Sequence, residues 1–154
     1  MKDNIKNDRY ILNKKILIFK NKYLELKKSN SIDEIELREC ICDILSWIEI
    51  CVKTTKNMNL EEKKKISAIR YANNYKKHNK KLYKFNYNTY GLYPSYNLYP
   101  SDDLYPSDFN IYWNFLSYLE KSDKNQYSNY RTFLENKNIY DTILEIYEII
   151  QKYY

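Results

Sequence analysis

A chain of 154 residues, 44% hydrophobic and 30% charged, is long enough to bury one real core and too apolar for general disorder. One glycine and three prolines exclude a turn-rich all-β fold, so a single helical domain is expected over 1–154. The net charge of +6 is unevenly placed: residues 1–82 hold 20 Lys/Arg against 11 Asp/Glu, and residues 83–154 hold 6 against 9. Such a basic half fits a phosphate-bearing partner, and equally fits lysines that only solvate helix surfaces.

The three cysteines, Cys40, Cys42 and Cys51, fall in one predicted helix, and no Cys/His set at zinc spacing accompanies them. They read as small buried apolar residues in a reducing compartment, with no metal and no cofactor expected. No apolar run approaches the length needed to span a bilayer, so a soluble, cytoplasmic protein without a membrane partner is expected.

In chain order, residues 3–28 carry Ile5, Leu12, Ile16, Phe19, Tyr23 and Leu26 at helical spacing, with lysines on the other side. Ser31 and Glu34 have the spacing of a capping box for a second helix running to about Lys56. That helix is apolar over more than half its circumference, through Leu37, Ile41, Ile44, Leu45 and Ile48, and should be the most buried element. Asn59 followed by Glu61 and Glu62 marks the start of a third helix, from Leu60 to about Lys81. Short connections predict antiparallel neighbours.

From Tyr83 the composition changes. All three prolines, the only glycine and a dense run of aromatics follow, including Leu-Tyr-Pro-Ser at 92–95, 98–101 and 104–107. Three copies are too few for a solenoid, so an irregular, partly extended insertion is expected over about 83–110. Alternation at Tyr83, Phe85 and Tyr87 suggests a short strand there. Residues 111–120 read as a resumed helix, 127–134 as a short one, and Asn138 or Asp141 as the start of the last. The result is an all-α bundle of five to six helices, with room for a small hairpin.

The third helix carries the candidate chemistry. Arg70, Asn74 and His78, the only histidine, lie at i, i+4 and i+8 on one face. Asn73, Lys76, Lys77 and Lys81 surround them and could contact nucleic acid. Histidine can move protons near neutral pH, arginine can neutralise charge growing on a phosphate, and asparagine can orient either. Because RNA carries its own 2′-hydroxyl nucleophile, such a site needs no metal. The bland alternative is a solvated helix end.

The segment from Arg70 through Asn73 and Asn74 to Lys77 and His78 resembles the ribonuclease motif of the HEPN superfamily. Here seven residues separate Arg70 from His78, a wider interval than that motif has, and Tyr71 stands where it has a polar residue. The layout that follows, a β-like stretch ending at Tyr112-Trp113 and then two helices, is similar to a group of uncharacterised Firmicutes proteins. The resemblance implies a HEPN-like helical bundle that forms homodimers. It also implies a metal-independent endoribonuclease in a toxin–antitoxin or phage-defence setting, with Arg70, Asn74 and His78 catalytic. An antitoxin or another defence-system component would be its protein partner. Two other readings stay open: a non-catalytic binding protein, such as a defence accessory or a phage-encoded anti-CRISPR, and a purely structural bundle.

Overall fold

The computed structural model describes residues 2–28, 34–76, 81–87, 109–120 and 122–153. Its elements are α1 (Lys2–Lys28), α2 (Glu34–Val52), α3 (Leu60–Lys76), β1 (Tyr83–Tyr87), β2 (Phe109–Trp113), α4 (Lys124–Phe133) and α5 (Ile139–Lys152). Helix dominates the described residues, and the only sheet among them is the antiparallel pair β1–β2, with Tyr83 opposite Trp113 and Phe85 opposite Ile111. The expected all-α bundle with a small hairpin is therefore the fold.

Helix α1 packs on α2, whose Leu37, Ile41, Ile44, Leu45 and Ile48 are fully enclosed, and buries Leu12, Ile16, Phe19 and Tyr23, the last stacked on Tyr140 of α5. The far side of the core is aromatic. Trp113 is buried edge-on to Tyr130, and its indole Nε1–H donates to Thr142 Oγ1 on α5 at 2.7 Å. Because Trp113 also bonds the backbone at Lys137 and Asn136, the hairpin is fixed to the α4–α5 connection. Asn138, which caps α5 by accepting from Asp141 N–H, forms an isolated bridge with Tyr112.

Several boundaries differ from expectation. The second helix ends at Val52 rather than near Lys56, since Thr54 and Thr55 fold back onto Cys51 and Val52 carbonyls. Asn57 then adopts a left-handed backbone with φ 67°, a conformation asparagine tolerates better than most residues. Residues 111–120 do not resume a helix. Residues 111–113 complete β2 and 114–119 are irregular, because their backbone groups bond outside the segment. Asn114 N–H donates to Leu82 O, and Asn114 O accepts from the Tyr130 hydroxyl. Ser117 O accepts from Tyr71, while Leu119 N–H donates to the same Tyr71 oxygen. Ser31 and the three Leu-Tyr-Pro-Ser copies lie outside the described residues.

Helix α3 opens on a reciprocal capping box. Asn59 Oδ1 accepts from Glu62 N–H at 2.9 Å, and Glu62 Oε2 accepts from Asn59 N–H at 3.0 Å. The buried Glu62 carboxylate also accepts from the Tyr153 hydroxyl and the Lys152 ammonium, which ties the end of α5 to the start of α3. Tyr153 foremost, then Lys152 and the Asn59 N–H, outweigh desolvation and lower the Glu62 pKa from 4.5 to about 2. Because the folded value is the lower one, this contribution is complete above about pH 4.5 and is lost as pH falls through about 2. Urea midpoints of wild type and Glu62→Gln should therefore differ at pH 6 and converge near pH 2. A constant difference across that range would refute the linkage.

Candidate nucleic-acid interface

Helix α3 is clasped on two sides. At about 100° per residue from Arg70, Ile66, Asn73 and Ile69 lie at about −40° to −100°, and Tyr71, Tyr75 and Ala68 at about 100° to 160°. All six are buried. The first arc faces α2, where the Asn73 amide donates to Glu49 Oε2. The second faces α4 and the 114–119 loop, where Tyr71 packs on Tyr127 and Tyr130 with centroids 5.3 and 5.6 Å away. Burial raises the pKa of Tyr71, so its hydroxyl stays protonated and bridges Ser117 O and Leu119 N–H.

Between the arcs, at about 0° to 60°, runs a polar stripe of Lys63, Ser67, Arg70 and Asn74. Lys63 is exposed and the other three are half-buried. Ser67 Oγ accepts from Asn129 of α4 at 3.1 Å, so the stripe's edge is fixed to that helix. Arg70 and Asn74 thus share the open face, one turn apart, as their spacing implies.

The other candidates separate from them. Asn73 is only 4% exposed, and its Oδ1 has no partner among the described residues, so it faces α2 rather than a ligand in solvent. The half-buried Lys76 turns the same way and donates to Cys42 O at 2.7 Å and to Ser46 Oγ. It lies at an open groove of about 530 Å³ between α1 and α2, where Glu36, Glu39 and Asp43 offset Lys15 and Lys76. Three carboxylates beside two ammoniums make that groove a poor phosphate site. Lys81 is exposed, and its carbonyl lies beside Asn114 Nδ2 at 3.5 Å. Lys77 and His78 lie outside the described residues.

No family model, curated protein or solved structure matches this chain. Among the described residues no group of three or more His, Cys, Asp or Glu could hold a metal ion, and no helix is long and apolar enough to cross a membrane. Burial raises the Cys40 pKa and raises that of Cys51 to about 11, so both favour the neutral thiol.

The sequence reading missed Glu49 and Ser46, the α2 side chains that hold Asn73 and Lys76. It also missed an exposed cluster beside α3. The Arg131 guanidinium lies over Phe115 at 5.9 Å and over Tyr127 at 6.0 Å, and Tyr118 meets Tyr127 edge-on at 5.4 Å. With residues 111–120 expected to be helical, nothing in the sequence signalled that Phe115 and Tyr118 would share a patch.

Proposed function

We propose that the protein is a HEPN-type, metal-independent endoribonuclease acting in a toxin–antitoxin or phage-defence setting. The supporting observation is that Arg70 and Asn74 lie together on a half-buried polar stripe of α3 that runs between two buried arcs. In this reading Arg70 grips the scissile phosphate and Asn74 orients it. His78 takes the proton of the 2′-hydroxyl as that oxygen bonds to phosphorus. The bond from phosphorus to the 5′-oxygen breaks, and that oxygen takes a proton. One chain has a single histidine, so a homodimer would supply a separate base and acid. Lys77 and Lys81 add positive potential, whereas Asn73 and Lys76 act within the bundle. Purified protein incubated with total RNA, with and without EDTA, tests the reading: cleavage that EDTA leaves unchanged is expected, and intact RNA in both arms refutes it.

A second reading, a binding protein that works through a partner chain, is favoured by α1. Tyr10, Leu17 and Leu24 recur every seven residues on its outer side and are 59%, 52% and 49% exposed. A seven-residue apolar spacing suits packing against another helix. If this stripe joins two copies, sedimentation at high micromolar concentration should show a dimer, and Leu17→Asp should weaken it at least tenfold. A wild-type monomer would exclude self-association and leave the stripe to a different chain.

A further inference from the structure

The loop at 114–119 combines a rigid backbone with exposed aromatic rings. Tyr71 and Tyr130 anchor it at Ser117, Leu119 and Asn114, and Leu116 is buried beneath it. Yet Phe115 is 60% exposed and Tyr118 39% exposed. A loop this constrained holds its rings ready on the surface, so little ordering entropy is lost when something stacks on them. Tyr75 reaches Ser117 Oγ at 3.3 Å, and the carbonyl of the exposed Lys81 lies beside Asn114 Nδ2 at 3.5 Å.

Planar rings, a guanidinium over two of them and a neighbouring lysine suit an unpaired nucleobase and its phosphate. In a duplex the base faces are already stacked and cannot be shared. We infer that Phe115, Tyr118 and Arg131 form a base-stacking platform for single-stranded RNA, on the side of α3 where Tyr71 meets Tyr127. The inference rests on the ribonuclease reading for the choice of RNA, and it specifies that the RNA is unpaired where it is held. Two cations, Lys81 and Arg131, are exposed beside the loop, and Arg131 also pairs with Glu135 at 3.7 Å.

The test measures binding separately from cleavage. In the His78→Ala protein, fluorescence anisotropy with a labelled single-stranded oligouridine should show saturable binding, and a duplex probe of equal length should bind at least tenfold more weakly. Phe115→Ala and Tyr118→Ala, each made in that background, should each weaken single-strand binding about tenfold, while Phe115→Trp should restore it. Arg131→Gln should weaken it severalfold. Unchanged circular dichroism and urea midpoints would show that the variants fold. Equal affinity for duplex and single strand, or unaltered affinity in Phe115→Ala/Tyr118→Ala, overturns the platform. So does loss of a protein complex rather than RNA binding in that double variant. Binding that depends on Phe115 in a protein that cleaves nothing would uphold the platform and refute the catalytic reading. Cleavage without that dependence would do the reverse.

Discussion

Trp113→Ala should lower the unfolding free energy by about 3–5 kcal/mol, the largest effect expected of a single substitution here. The ring has no exposed surface and lies edge-on to Tyr130, so truncation leaves a cavity walled by β2, α4 and α5. It also removes the donor to Thr142 Oγ1, which itself donates to the Asn138 carbonyl at the start of α5. Native domains are stable by only about 5–15 kcal/mol, so the loss is a large fraction of the total. Phe115→Ala, two residues along, should move stability by no more than about 0.5 kcal/mol because that ring is exposed. Urea unfolding of both variants checks the contrast. Equal costs would mean that the hairpin is not anchored through Trp113.

His78→Ala should reduce RNA cleavage by about 10²–10⁴-fold, the range that a positioned acid–base group contributes. Arg70→Lys should also be damaging, because an ammonium cannot engage two phosphate oxygens at once as a guanidinium does. Lys81→Ala acts differently. It should weaken binding and flatten its dependence on salt while sparing turnover at saturating RNA, since it neutralises phosphate away from the reacting bonds. Cleavage rates on a defined oligoribonucleotide, with circular dichroism as the folding control, decide the matter. Wild type and His78→Ala leaving RNA equally intact would end the catalytic reading.

Much of the fold was legible because burial follows period. Leu12, Ile16, Phe19 and Tyr23 stand on one helical face and are all buried, as are Leu37, Ile41, Ile44, Leu45 and Ile48. Tyr83, Phe85 and Tyr87 alternate and form β1. The misreading at 111–120 came from two overlapping periods. Trp113, Phe115, Leu116 and Leu119 mimic a helix, whereas the buried residues Ile111 and Trp113 follow the period of a strand. Hydroxyls distant in sequence, on Tyr71 and Tyr130, decided the outcome by taking the backbone bonds that a helix would have used.

The candidate site was legible only in part, for a related reason. Helical spacing correctly places Arg70 with Asn74. It does not reveal which polar residues are claimed by another helix, and Asn73 and Lys76 are satisfied by Glu49 and by Ser46 with the Cys42 carbonyl. Those partners lie 24 to 34 positions earlier in the chain, and no local pattern connects them to α3.

The clasp on α3 has a consequence for how the protein is made. Its Tyr71 and Tyr75 are met by Ser117, Tyr127 and Tyr130, and its first turn is secured by Lys152 and Tyr153. During synthesis α1, α2 and α3 emerge first and can meet one another. Until α4 and α5 follow, one aromatic side of α3 stays bare and its buried carboxylate lacks two of its donors. The basic half of the chain therefore passes through a stage in which it is sticky and incomplete, and the ribosome-bound nascent chain is where a chaperone would find it.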